Sequence, residues 1–156
     1  MAEREYDIAM LGATGFTGGL TAEYLVRNAP AGTRVALAGR NLAKLEEVRR
    51  RLGAVSPAAA DLPLLKADVA DAASMQAIAA SARVVITTVG PYINYGEPLV
   101  AACAAAGTHY VDLTGEPEFV DLMWLRYHHQ AEIVTQVDDG TGDCGAISAG
   151  TEIQHE

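Results

Sequence analysis

Gly12-Ala13-Thr14-Gly15-Phe16-Thr17-Gly18 follows the apolar run Tyr6–Leu11 directly and opens a segment of helical period, an arrangement that few folds accommodate. Gly12 permits a tight exit from a strand, Gly15 lets a pyrophosphate approach the backbone, and Gly18 lets the helix pack close to a sheet. The first amides of such a helix point at the ligand, and the helix dipole favours its negative charge. The spacing is G-x-x-G-x-x-G rather than the tighter dinucleotide fingerprint, so a turn that binds nothing is the competing reading. The surrounding chain decides between them.

Short β-branched or apolar runs recur at Tyr6–Leu11, Arg34–Ala38, Leu62–Ala67, Arg83–Val89 and His109–Leu113. Helical segments with recognisable ends lie between them. Asn41 is placed to cap a helix striped by Leu42, Leu45, Val48 and Leu52, with Gly53 to close it. Asp71 caps the next, with Met75, Ile78 and Ala79 facing inward. Pro98 and Gly107 bracket an Ala-rich helix, and Pro117 opens another carrying Phe119, Leu122, Met123 and Arg126. This alternation predicts βαβ units, hence a Rossmann-like, doubly wound parallel α/β sheet of five to six strands in a single domain. The sixth strand would be Ile133–Val137. We expect the domain over residues 1–137 and a loose C-terminal segment over 138–156, rich in Gly, Asp, Ser and Thr. A glycine turn in that setting reads as a nucleotide site.

The second strand ends Ala38-Gly39-Arg40-Asn41, with Arg40 following Gly18 by 22 positions. An acid there would hold the ribose hydroxyls of NAD; a guanidinium pairs instead with the 2′-phosphate of NADP and stacks on adenine. One charge-assisted contact of about 1.5–3 kcal/mol gives roughly a ten- to hundredfold preference for NADP. The alternative is an exposed arginine at a helix N-terminus, where its charge is mildly unfavourable. Lys44 reads as a surface lysine, with phosphate contact as its second reading. Asp68, after the third strand, either accepts the adenine amino group or organises the turn before Asp71. In the doubly wound order the first and fourth strands flank the switch point. Val89, Gly90, Pro91 and Tyr92 should therefore face Gly12 beside the ribose and nicotinamide, though Gly90-Pro91 also reads as a rigid turn.

The net charge of −9, from 11 basic and 20 acidic residues, leaves no surplus of cations for nucleic acid. Residues 131–156 carry six acids and no base, so the first 130 residues hold only −3. Cys103 and Cys144 make neither a disulfide framework nor a four-ligand zinc site, which fits a reducing compartment. The first apolar run is too short for a signal-peptide core, and Leu99–Ala106 is far below membrane-spanning length. A cytoplasmic chain is expected.

Gly12 to Gly18, the Ala38-Gly39-Arg40 ending and the run TTVGPYINYGEPLVAACAAAGTHYVDLTGE from Thr87 to Glu116 together resemble the N-terminal domain of saccharopine-dehydrogenase-like oxidoreductases. The nearest branch resembles the trans-acting enoyl reductases of actinobacterial lipid synthesis, and the likeness spans Tyr6 to Gln130. It implies NADPH as hydride donor and a lipid-linked double bond as substrate. It also implies a phosphate loop at Gly12, Thr14, Gly15, Phe16 and Thr17, with Arg40 on the 2′-phosphate. Val89, Gly90, Pro91 and Tyr92 then surround the far ribose, and Thr114, Gly115 and Glu116 stand at the cleft. From Val137-Asp138-Asp139-Gly140 onward the likeness ends, and the substrate domain it implies is not among these residues. Catalysis by these residues alone is not expected.

No tyrosine has a lysine four positions later, which excludes a short-chain dehydrogenase of the Tyr-x-x-x-Lys type. Ser-x-x-Lys and Gly-x-Ser-x-Gly are missing too. His128 and His129 point about 100° apart on one helix and make no metal pair; they read as surface residues near its C-terminal end. His109 and Asp112 read as structural, and Cys103 as a small buried hydrophobe. Two readings remain: the cofactor half of a reductase, or a non-catalytic NADP-binding, redox-sensing module. A sheet with an open edge also favours a homodimer.

Overall fold

The computed structural model describes residues 4–139. Five strands form one parallel sheet: β1 (Tyr6–Leu11), β2 (Val35–Gly39), β3 (Leu64–Lys66), β4 (Ala82–Thr87) and β5 (His109–Val111). Their order is β3-β2-β1-β4-β5, so the chain runs outward one way from β1 and then returns to build the other half. In register, Met10 lies beside Leu37 of β2 and Ile86 of β4.

The helices are α1 (Phe16–Asn28), α2 (Leu42–Val55), α3 (Ala72–Ser81), the single turn α4 (Tyr92–Tyr95), α5 (Glu97–Ala106) and α6 (Pro117–Asp139). Alternate residues of a strand point to opposite faces, and the core divides accordingly. Ala9, Leu11, Ala36 and Ala38 pack with Met75, Leu99, Cys103 and Phe119 under α3, α5 and α6. Met10 and Leu37 pack with Ala22, Leu45, Val48 and Leu52 under α1 and α2. Both faces are covered, as a parallel sheet requires.

Local signals account for most helix ends. The Asn41 side chain accepts from the Lys44 amide at 3.1 Å and the Asp71 side chain from the Ala73 amide at 3.1 Å. Gly107 ends α5 in the left-handed conformation at φ 65°. At the opposite edge of the sheet, Arg4 donates to the Ala80 carbonyl at 2.7 Å and to the Ala106 carbonyl. One guanidinium thereby serves the C-terminal ends of α3 and α5, where positive charge is favourable.

Three expectations are corrected. Ile133–Val137 is not a strand: α6 runs unbroken from Pro117 to Asp139, and the sheet has five strands among the described residues. No glycine or proline follows Pro117 before Gly140, so nothing breaks the helix. His128 and His129 consequently lie within α6 rather than near its end, and His128 stacks on Trp124 with ring centroids 3.6 Å apart. Gly53 sits inside α2, where an added Cβ would come within 3.2 Å of Ala60, so it serves packing instead of closure. The expected loose segment, apart from the end of α6, lies outside the described residues.

Candidate cofactor-binding site

Every strand runs the same way, so the loops after β1, β2, β3, β4 and β5 gather at one edge of the sheet. The loops after β1 and β4 are adjacent there. Gly12 takes φ +90°, and a Cβ on it would lie 2.7 Å from Thr88 Oγ1 and 3.0 Å from Val89 Cγ2. A Cβ on Gly18 would fall inside the Gly12 carbonyl oxygen. These two glycines are internal necessities. Gly15 is different: it is exposed, its amide donates to the Gly12 carbonyl at 3.0 Å, and an added Cβ would meet only that oxygen at 3.4 Å. Its open face leaves room for a ligand group against the backbone.

Gly15 is the N-cap of α1 and supplies no side-chain hydrogen bond, and the first turn holds no acid. The amides there therefore lack the satisfaction that Asn41 and Asp71 give α2 and α3. Thr14, Phe16 and Thr17 are all exposed around this opening, Phe16 by 86%. Arg40, at the end of β2, is exposed and takes part in none of the four ion pairs of the described residues. The uncapped amides fit a pyrophosphate and the guanidinium fits a further phosphate.

Of the two readings of Asp68, the structure shows the turn: its carboxylate accepts from the Ala70 amide at 3.0 Å, and its carbonyl from the Asp71 amide at 2.9 Å. Thr88 and Val89 stand against Gly12, with Thr88 Oγ1 3.4 Å from the Gly12 carbonyl oxygen. Gly90 and Pro91, joined by a cis bond, are exposed at the rim. Tyr92 turns away from the opening. Its ring is buried beside Phe119, and its hydroxyl donates to the Thr87 carbonyl at 3.2 Å. Burial raises its pKa, against a backbone contact at Leu113 that opposes the shift.

Glu116 has a role that local spacing does not reveal. Its two carboxylate oxygens accept from the Tyr92 and Ile93 amides, each at 2.8 Å, capping α4 across 24 positions. Thr114 Oγ1 accepts from the Glu116 amide at 3.1 Å, and Asp112 accepts from the Thr114 amide at 3.0 Å and the Tyr110 hydroxyl at 2.7 Å. Burial, with Asp112 alongside, pushes the Tyr110 hydroxyl strongly upward in pKa. Gly115 is exposed and open. Thr114, Gly115 and Glu116 follow β5 at the same edge of the sheet, with the Glu116 carboxylate committed to α4. Among the described residues no group of His, Cys, Asp and Glu forms a metal site, and no helix is long and apolar enough to cross a membrane.

The saccharopine dehydrogenase NADP-binding domain family matches residues 8–137. This chain belongs to it. A trans-acting enoyl reductase of Mycobacterium tuberculosis is 55% identical over 130 residues, covering 83% of the chain and 30% of that protein. A trans-acting enoyl reductase of Mycobacterium ulcerans is 49% identical over 130 residues. The chain thus spans 30% of the length of these curated relatives. Among solved structures, saccharopine dehydrogenase from Saccharomyces cerevisiae matches with a TM-score of 0.59 at 20% identity, over 75% of this chain and 24% of that one. Citrobacter triphenylmethane reductase, complexed with NADP(H), matches at 0.58 and 21%, over 83% and 46%. These likenesses establish the Rossmann-like fold, and the family establishes NADP as the cofactor class.

Proposed function

We propose that this NADP-binding domain is the cofactor half of a reductase that reduces a lipid-linked enoyl double bond with NADPH. The observation that carries the reading is the uncapped N-terminus of α1 beside the open face of Gly15, with Arg40 at the neighbouring strand end. Identity to proteins named trans-acting enoyl reductases supports an enoyl group as the substrate. The amides of Phe16, Thr17 and Gly18 would hold the pyrophosphate, and Arg40 the 2′-phosphate. Val89 and Gly90 would border the nicotinamide ribose, and Tyr92 would act by holding that loop from beneath. Asp68, committed to its turn, would border the adenine.

Bound NADPH supplies a hydride. On this reading the residues described here bind and orient the cofactor, and the substrate pocket and proton donor would come from outside them. The buried free thiol of Cys103 is in keeping with a cytoplasmic setting. Edge strand β5, with its own Val111 and the following Leu113 exposed, offers a surface for a homodimer or a further domain.

Fluorescence titration of the 156-residue chain with NADPH and NADH tests the reading. NADPH should bind in the micromolar range and tighter than NADH by roughly ten- to hundredfold. Arg40→Ala should remove most of that preference and leave NADH binding nearly intact. Retention of the preference would remove Arg40 from the 2′-phosphate site. Turnover of an enoyl thioester by this chain should be undetectable.

A further inference from the structure

Strand β5 ends at Val111, yet the side chains keep a strand's period of two as far as Glu116. Tyr110 is buried and Asp112, Thr114 and Glu116 are half-buried, whereas Val111, Leu113 and Gly115 are exposed. The inner set is joined end to end. The Tyr110 hydroxyl donates to Asp112 Oδ2 at 2.7 Å, and the Thr114 amide donates to Asp112 Oδ1 at 3.0 Å. The Glu116 amide donates to Thr114 Oγ1 at 3.1 Å, and the two Glu116 carboxylate oxygens accept from the Tyr92 and Ile93 amides. Tyr110 lies beside Val85 of β4 in register and belongs to the core under α3, α5 and α6. Five hydrogen bonds thus run from that core to the loop after β4.

The loop so reached, residues 88–91, is fixed at its other end as well. The Thr88 amide donates to the Leu11 carbonyl at 3.1 Å, and the Tyr92 hydroxyl reaches back to the Thr87 carbonyl at 3.2 Å. Between these fixings Gly90 and Pro91 are exposed. The helix that follows, α4, has four residues, too few to hold its own place by helical cooperativity. A cap alone needs one acceptor beside the helix start, as Asn41 and Asp71 provide for α2 and α3. A carboxylate anchored to the core from 24 positions away also fixes where that start lies. Burial raises the Tyr110 pKa, with Asp112 alongside adding to the shift, so the phenol remains a donor through neutral pH and the anchor stays closed.

We propose that Asp112 and Thr114 are positioning residues for the nicotinamide half of the cofactor: they carry the fixed position of Tyr110, through Glu116, to the loop against which the nicotinamide ribose rests. This role rests on the reductase reading above and extends it to residues that touch neither cofactor nor substrate. On that reading the phosphates are held by a different set, the first amides of α1 and Arg40, so the two halves of the site can be loosened separately. Slack in the Asp112–Thr114–Glu116 relay is felt at the nicotinamide end. That is where it matters most, because transfer requires the reacting atoms to be held within a few tenths of an ångström of the productive arrangement.

The test is calorimetric titration of the 156-residue chain with NADPH and with 2′,5′-ADP, which carries the adenosine 2′-phosphate but no nicotinamide. Thr114→Val removes the acceptor oxygen and keeps the shape of the side chain. It should weaken NADPH by about fivefold and leave 2′,5′-ADP within about twofold of wild type. Asp112→Ala, which opens the relay one link earlier, should show the same selective loss. Thr114→Ser restores the hydroxyl and should return NADPH to within about twofold of wild type. At saturation, the emission of bound NADPH should move towards that of the free cofactor in Thr114→Val and not in Thr114→Ser, a change that lower stability alone does not produce. Unchanged affinity and emission in Thr114→Val overturn the positioning role and leave the reductase reading standing, whether or not Asp112→Ala folds. Equal losses of NADPH and 2′,5′-ADP overturn it as well, since they mark a general structural role. A wild-type chain that binds neither ligand takes down the cofactor reading and the positioning role together.

Discussion

The loops after β1 and β4 lie side by side at the same edge of the sheet and treat their backbone groups in opposite ways. The loop into α1 leaves the helix start without a side-chain cap. The loop into α4 has both leading amides held by the Glu116 carboxylate. Both lead into helices, and both carry glycine where the backbone is exposed. A helix start left unsatisfied in water costs little, because solvent serves it until a phosphate arrives. A start closed by a carboxylate repels a phosphate, so the second loop serves as wall rather than cradle. The same contrast extends through the core: titratable Tyr92, Cys103 and Tyr110 all lie on the α3–α5–α6 side, and none on the α1–α2 side.

The contrast can be broken most severely at the glycines. Gly15→Val should lower NADPH affinity by more than about a hundredfold through steric block, with the melting temperature close to wild type, because Gly15 already has extended backbone angles of φ −80° and ψ 170°. Gly18→Val should instead cost about 3 kcal/mol of stability, since its Cβ collides with the Gly12 carbonyl. Equal thermal losses in the two variants would erase the distinction between an internal and a ligand-facing glycine.

Alkaline pH should act on the closed side. Burial pushes the Cys103 thiol from 9.0 up to about 12, so the folded chain holds this proton more tightly than the unfolded chain. The stability this contributes is complete below pH 9 and is lost as pH rises from 9 towards 12. By pH 10.5 the loss is about 2 kcal/mol from this group. Urea unfolding of wild type and Cys103→Ala at pH 8 and 10.5 measures it, and the variant should lose less between the two pH values. Parallel losses would place the alkaline sensitivity in the tyrosines, whose pKa values are also raised.

The smallest effect belongs to the cap. Glu116→Ala leaves two amides of α4 without their acceptor and should cost about 1–2 kcal/mol. NADPH and NADH should weaken together by a few-fold, because the loop moves while the 2′-phosphate site does not. A selective loss of NADPH would put Glu116 in cofactor discrimination instead.

Features encoded over a few neighbouring residues were legible in the sequence. The five strands, the Asn41 and Asp71 caps, the Pro98–Gly107 bracket and the glycine loop all rest on propensity or on contacts within a turn. Ile133–Val137 misled because a short apolar β-branched run suits either state, and an uninterrupted helix arriving from Pro117 decided it. The Glu116 cap and the seating of Arg51 against Gly19 join residues 24 and 32 positions apart, and no local pattern announces such pairs. The α4 turn follows from the first of these.

Arg4 lies before the first strand, two positions outside any boundary drawn at Tyr6. A domain excised at Tyr6 would keep the whole sheet and every glycine of the loop, yet lose the one cation that answers the carbonyls of Ala79, Ala80 and Ala106. Its far end would fray while its binding edge stayed whole, and a shortened chain that melts early but still takes up NADPH would owe the early melting to the loss of Arg4.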